Sequence, residues 1–400
     1  MAANKRWREV ERRLCRMKSV ETMKILNLMW GFSLGGVRTC FMTYAKLGSV
    51  EPKLNIHSVC INLTNEQSDL SLLKDSEIDV IQIDSRWDFS WLAKCFSIIE
   101  RVEPDLIFTH GFNGPVVVEV LRYKYKLNVP MVCSYHSEYQ APSMCRRFVA
   151  PVFNGAMHWI YRWRAVGVLG VSAFTKETLL HYGVPEAKIA YVLHGIAARP
   201  CARRSLQSLK PSWRGEEGSI ILGVASRLDA IKGLNFLLQA FAIICKQCNV
   251  HLVVVGDGPE KQRLCMQASD LLLTERVTFV GYQANVADWL ESFDVFCLPS
   301  LSETLSLSLI EALRAGLASV ASKVGGIVEV VRNEQEALLV PPANAHALAN
   351  ALLRLARETS LRCALGLNAR KRFEEEFTED RMKRQLADWL LSFDRKEGLI

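Results

Sequence analysis

Asp294-Val295-Phe296-Cys297-Leu298-Pro299-Ser300-Leu301-Ser302-Glu303-Thr304-Leu305-Ser306-Leu307-Ser308-Leu309-Ile310-Glu311-Ala312-Leu313-Arg314-Ala315-Gly316 carries two hydrophobic periods in succession. After Asp294, 295–299 is an unbroken apolar run, the pattern of a strand buried on both faces. From 307 to 315 the apolar side chains recur at three- and four-residue steps, which predicts a helix. The segment therefore reads as strand, loop, helix. A helix that opens beside a strand end points unpaired N–H groups into a crevice. Such a place suits anionic oxygen, and phosphate above all. Two carboxylates flank it, Glu303 in the loop and Glu311 inside the helix. Either would repel phosphate, so each must read another part of a ligand. Sugar hydroxyls are the natural partners, because one carboxylate accepts two hydroxyl hydrogen bonds at once. Phosphate beside hydroxyl-reading acids predicts a nucleotide-sugar pocket.

The same alternation extends outward. A strand at 220–225 leads into Ser226-Arg227-Leu228-Asp229-Ala230-Ile231-Lys232-Gly233 and a helix from 234. A strand at 250–255 leads into Gly256-Asp257-Gly258-Pro259, with proline at a helix start. A strand at 277–280 ends on Gly281-Tyr282. The earlier half repeats the pattern. A strand at 24–30 is followed by Gly31-Phe32-Ser33-Leu34-Gly35-Gly36 and a helix over 38–47. Strands follow at 55–62, 80–83, 105–109, 131–135, 166–172 and 190–193, with a helix at 89–102. His110-Gly111 and His136 fall just past strand ends, where open α/β sheets bind ligands. Parallel sheets with crossover helices follow from this order, so the fold class is α/β.

Four hundred residues suit two domains. The expected division is a basic N-terminal extension at 1–22, a Rossmann-like domain at 23–195, a linker at 196–218, a second Rossmann-like domain at 219–377, and a final helix and tail at 378–400. Met23 is an alternative start, since the first strand begins there. Half the chain is apolar, which excludes a disordered protein. No apolar run approaches the roughly 20 residues of a membrane span, and the basic N-terminus lacks a signal-peptide core. A cytoplasmic location is expected, including the cytoplasmic face of the membrane. Of the twelve cysteines, Cys60, Cys133 and Cys297 sit in apolar strands as small hydrophobes. Cys245 and Cys248 form a lone Cys-x-x-Cys at a helix end.

The net charge of +7 lies wholly in the first half, where 25 Lys and Arg stand against 18 Asp and Glu. An anionic partner should meet that half. Residues 141–165, with Arg146, Arg147 and a run of aromatics, fit contact with an anionic membrane or acceptor. No nucleic-acid motif accompanies the charge.

Glu303 and Glu311, with seven residues between them, resemble the paired-glutamate motif of retaining glycosyltransferases of family 4, which have the GT-B fold. Gly316 and Gly325-Gly326-Ile327-Val328-Glu329 fit the same pattern, and Arg227 with Lys232 matches its basic pair. The resemblance implies two domains facing a cleft, with a last helix crossing back to the first. It implies transfer of a sugar from a UDP- or GDP-sugar to a glycan or lipid-linked acceptor, as in lipopolysaccharide or surface polysaccharide synthesis. No metal and no cofactor is implied. Arg227, Lys232, Glu303 and His110 would be catalytic. Gly35, Gly36, Gly256, Gly258, Tyr282, Thr304, Leu305, Ser306 and Glu311 would bind the donor. His136, Arg146 and Arg147 would face the acceptor. Three positions depart from the family: Thr304 replaces a frequent glycine, and His194 and Ala197 replace an asparagine and an acid. A nucleotide-sugar epimerase of the same fold, or a catalytically silent binding subunit, stays compatible with these residues. A Rossmann dehydrogenase does not, since the first loop lacks the three-glycine fingerprint.

Overall fold

The computed structural model describes residues 22–31, 36–63, 78–85, 87–136, 149–200, 206–209 and 218–394. Gly35, Arg146, Arg147, nearly all of the N-terminal extension and much of the expected linker lie outside the described residues.

The first sheet contains β1 (Met23–Trp30), β2 (Leu54–Leu63), β3 (Ile78–Ile83), β4 (Leu106–His110), β5 (Met131–Tyr135), β6 (Gly167–Gly170) and β7 (Ile189–Tyr191), in the order β3-β2-β1-β4-β5-β6-β7. Each pair from β3 across to β6 is parallel. Leu26, Leu28, Val59, Ile61, Ile107 and Cys133 are buried under the crossover helices Ser90–Val102, Asn113–Tyr125 and Val149–Trp163. The helix Asn113–Tyr125 is an element that the sequence reading did not assign. Its valines favour strands, yet Val117, Val118 and Leu121 form a helical stripe that is buried on the sheet.

The second sheet contains β8 (Ile220–Ala225), β9 (Val250–Val255), β10 (Val277–Gly281), β11 (Val295–Leu298), β12 (Ala318–Ser322) and β13 (Ala337–Val340). Its order is β10-β9-β8-β11-β12-β13, parallel throughout. Alternation explains why its strands read as solid apolar runs. Leu222, Val224, Leu252, Val254, Val295 and Cys297 enter one core cluster. Ala225, Val253, Val255, Phe296 and Leu298 enter the cluster on the other face. Both faces are buried, as a doubly covered parallel sheet requires. Pro259 lies in the turn ahead of its helix, which runs Lys261–Asp270, and not at the first helical position.

The chain divides into two compact units. Among the described residues, the first takes those up to Gly170, Leu179–Ala190 and those from Lys383; the second takes Val171–Thr178 and Tyr191–Met382. The expected boundaries were 195 and 219, with the last helix leaving at 378. Residues 191–200 instead count with the second unit, where backbone bonds hold them. The Ile196 N–H donates to Phe377 O at 3.0 Å, and the Glu379 N–H to Ile196 O at 3.0 Å. The last helix is Glu379–Leu391. No helix among the described residues is long and apolar enough to cross a membrane.

Candidate functional site

Because all six strands of the second sheet are parallel, their carboxyl ends share one edge. The order runs outward in both directions from between β8 and β11, and such a switch point opens a crevice at that edge. The loop after β8 carries Arg227 and Lys232, and the loop after β11 carries Glu303. The two loops meet. Lys232 Nζ donates to Glu303 Oε1 at 2.6 Å, and Ser300 Oγ donates to the same oxygen at 2.8 Å. Glu303 is buried, at 8% exposure, while the Lys232 side chain keeps 23%. The Leu301 N–H also donates to Ile231 O at 2.8 Å, so backbone as well as side chain ties the loops. Arg227 lies at the open rim, 71% exposed, in an ion pair with Asp229. Lys232 is thus set against the Glu303 carboxylate, and Arg227 is paired with Asp229 at the surface.

Ser306 opens the helix Leu307–Arg314. Its Oγ accepts from the Leu309 N–H at 3.3 Å, and its carbonyl accepts from the Ile310 N–H at 3.2 Å. The amides of Thr304, Leu305, Leu307 and Ser308 have no acceptor among the described residues. Open amides at a helix start are donors of the kind that anionic oxygen accepts from. Thr304, which stands where the family frequently has glycine, and Leu305 are half-buried.

Behind the loop stand Gly325 and Gly326. Gly325 has φ +47°, and a Cβ there would sit 1.8 Å from the Glu303 carbonyl oxygen. A Cβ on Gly326 would sit 2.0 Å from the Thr304 carbonyl oxygen. Only glycine permits this approach. The Gly326 N–H uses it to donate to Glu303 O at 3.0 Å.

The loop after β9 is tied to the end of β10 and to the loop after β8. The Gly256 N–H donates to Gly281 O at 2.9 Å, the Leu228 N–H to Asp257 O at 2.9 Å, and the Glu260 N–H to Leu228 O at 2.9 Å. Gly258 donates to the Asp257 carboxylate, which Lys261 holds at 2.7 Å and whose pKa these hydrogen bonds lower. Tyr282 follows β10 and is half exposed. Gly256, Gly258 and Tyr282 therefore line the same sheet edge as Lys232 and Glu303.

Glu311 lies one turn into its helix, in a small pocket with Arg199, Glu291, Arg314 and Ala287. Burial raises its pKa and the nearby Arg314 opposes the rise. Its carboxylate has no hydrogen-bond partner among the described residues. Arg199 pairs with Asp288 and, at 3.2 Å, with Glu291, which ties the chain after Ala197 to this pocket.

The first unit has its own switch point, between β1 and β4. Gly36 begins the helix Gly36–Tyr44 and is exposed. His110 ends β4 and is buried at 1% exposure. Asn27 Nδ2 donates to Ser58 Oγ at 2.9 Å, so its Oδ1 is the acceptor for His110 Nε2 at 2.6 Å. The proton on His110 is thereby placed on Nε2. Its Nδ1 is buried and has no partner among the described residues. Burial, and the nearby His136, push the His110 pKa well below the usual imidazole range. His136 follows β5, bonds Ser134 Oγ at 2.6 Å, and is lowered to about 4 by burial. Both rings are neutral at pH 7, so neither adds positive charge for an anion.

Sequence reasoning did not single out Ser172, Ser300, Asp229 or Asn27. Ser300 and Asp229 hold the two expected functional ends, Glu303 and Arg227. Ser172 and Thr175 have the spacing of a capping box after a strand, a signal that was legible.

Two known families adjoin on this chain. Glycosyltransferase Family 4 matches residues 70–199, and Glycosyl transferases group 1 matches residues 207–372. The N-acetyl-alpha-D-glucosaminyl L-malate synthase of Bacillus anthracis is 30% identical over 50% of this chain and 53% of its own length. The 2-deoxystreptamine glucosyltransferase of Streptomyces kanamyceticus is 25% identical over 83% of this chain and 88% of its own. A lipopolysaccharide core biosynthesis glycosyltransferase of Rhizobium meliloti is 31% identical over 46% and 50%. The chain thus spans about half of two of these relatives and most of the third. Among solved structures, Anabaena HepE in complex with UDP and glucose matches with a TM-score of 0.77 at 20% identity, over 92% of this chain and 100% of that one. That likeness gives the fold, which is GT-B, with its two parallel-sheet Rossmann-like domains. With matches to both family descriptions running from 70 to 372, the chain belongs to the family 4 type of glycosyltransferases.

Proposed function

We propose that this protein transfers a sugar from a nucleoside diphosphate sugar, UDP- or GDP-linked, to a hydroxyl of a glycan or lipid-linked acceptor, with retention of the anomeric configuration and without a metal ion. One observation carries the reading: a buried carboxylate, Glu303, shares a loop with open backbone amides and is bonded to Lys232. That loop offers hydroxyl acceptors and diphosphate donors within a few residues.

The bond from the anomeric carbon to the diphosphate oxygen breaks, and its electron pair stays on that oxygen. The acceptor's oxygen bonds to the anomeric carbon from the same face and loses its proton to the departing diphosphate. Negative charge grows on the leaving group, and Lys232, Arg227 and the amides of Thr304 and Leu305 stabilise it where it grows. Glu303 holds the donor sugar's hydroxyls and Glu311 the ribose hydroxyls. Gly256, Gly258 and Tyr282 line the nucleotide side.

Calorimetric titration of UDP- and GDP-sugars, followed by assay of released nucleoside diphosphate with and without acceptor, tests the reading. Binding is expected for one base, with turnover that depends on acceptor and persists in excess EDTA. Product from donor alone would show an epimerase or hydrolase. Activity lost to chelator and restored by magnesium would overturn the metal-free assignment.

A membrane-borne acceptor is the version that the first unit supports, in lipopolysaccharide or surface polysaccharide synthesis. On the helix Val149–Trp163, Val152, Trp159 and Trp163 are exposed at seven- and four-residue steps, and so share one stripe. Arg162 lies 4.9 Å over the Trp163 ring, and Arg164 is exposed beside it. Met157, Ile160 and Tyr161 occupy the opposite, buried side. An apolar stripe flanked by arginines suits the surface of an anionic bilayer. The double variant Trp159→Ala/Trp163→Ala is expected to lose about tenfold in binding to phosphatidylglycerol vesicles while keeping its melting temperature. Unchanged sedimentation with vesicles would exclude this face.

A further inference from the structure

Ser172 follows β6 and caps the helix Ala173–His181. Every early amide of that helix is occupied. Ala173 and Phe174 donate to the two oxygens of Glu329, at 2.7 and 2.8 Å. The Thr175 N–H donates to Ser172 Oγ at 3.2 Å, and the Ser172 N–H returns a bond to Thr175 Oγ1 at 3.0 Å. Thr175 Oγ1 spends its own proton on the Ser172 carbonyl, at 2.6 Å. The helix start thus offers no free donor to a ligand. What remains is the proton on Ser172 Oγ, and it goes to the Thr304 carbonyl at 2.7 Å. Ser172 is wholly buried, and all these residues belong to the second unit.

A planar trans peptide sets its N–H antiparallel to its C=O. Holding the Thr304 carbonyl toward Ser172 therefore turns the Leu305 N–H away from it, and that N–H has no acceptor among the described residues. Gly326 does the same one peptide earlier: its N–H holds the Glu303 carbonyl and turns the Thr304 N–H outward. We propose that Ser172 is a positioning residue for the transfer reaction, which sets the Thr304–Leu305 peptide plane so that the Leu305 amide meets the donor's terminal phosphate. This rests on the reading of the 303–308 loop as the diphosphate site. Ser172 touches no substrate; it acts through the peptide it orients.

The test compares Ser172→Ala with Thr175→Val in the full chain. Calorimetry measures UDP against UMP, and GDP against GMP, since each pair differs by one terminal phosphate. Ser172→Ala is expected to shrink the diphosphate-over-monophosphate preference about tenfold and to lower kcat about as much, with the acceptor KM unchanged. Thr175→Val loses the Oγ1 bonds to the Ser172 N–H and carbonyl but keeps the N–H that caps on Ser172 Oγ, and is expected to lower the melting temperature while leaving that preference intact. If Ser172→Ala melts earlier but keeps the wild-type preference, its role is capping alone and the proposal falls. If the wild-type protein itself shows no preference for the diphosphates, the diphosphate reading of the loop falls, and this inference with it.

Discussion

Arg227→Ala is expected to lower turnover at least a hundredfold while melting within about 2 °C of the wild type. The first half follows from its place at the sheet edge, where loss of one preorganised donor to a leaving oxyanion typically costs about 3 kcal/mol in the barrier. The second half follows from exposure. Its side chain is 71% exposed and its ion pair with Asp229 lies at the surface, where such pairs contribute little. Lys232→Ala should lose as much activity, but it should also melt earlier, because Glu303 is buried and would keep, among the described residues, only Ser300. Steady-state kinetics and thermal melts of the two variants separate catalysis from stability. Wild-type turnover in either would refute the assignment of that cation.

Gly325→Ala should be nearly as damaging without touching any group that meets substrate. Its added Cβ would stand 1.8 Å from the Glu303 carbonyl oxygen, and its φ of +47° is strained for any L side chain. The loop or the glycine segment must move by more than 1 Å, and a misplacement of that size costs about a hundredfold where reacting groups are prealigned. The expected result is a cooperatively folded protein with about one hundredth of the wild-type kcat and weaker diphosphate binding. Full activity in Gly325→Ala would mean that the 303–308 loop is not the reacting centre.

How legible was this site? Strand identity was plain wherever both sheet faces are covered, as at 220–225 and 250–255, which match β8 and β9. No element was assigned at Asn113–Tyr125, where valine-rich sequence competes with a helical stripe and tertiary burial decides. Arg227, Lys232 and Glu303 were singled out because each follows a strand end and because each matches the resembled family's pattern. Ser172 was missed because its target, Thr304, lies 132 residues away, and no local pattern encodes that bond. Glu311 was legible as an acid on a helix face, whereas its enclosure with Arg199 and Arg314 was not.

The order of strands and helices, the parallel class of both sheets, and the acids and bases at strand ends came from local patterns. Hydrophobic period and turn chemistry act between near neighbours, so they survive in a one-dimensional string. The pairing of Lys232 with Glu303, across 71 residues, and the proton that Ser172 spends on Thr304 were settled only when strand order brought those loops together. Hydrogen bonds reach about 3 Å and sense direction, and direction is a property of the folded backbone alone.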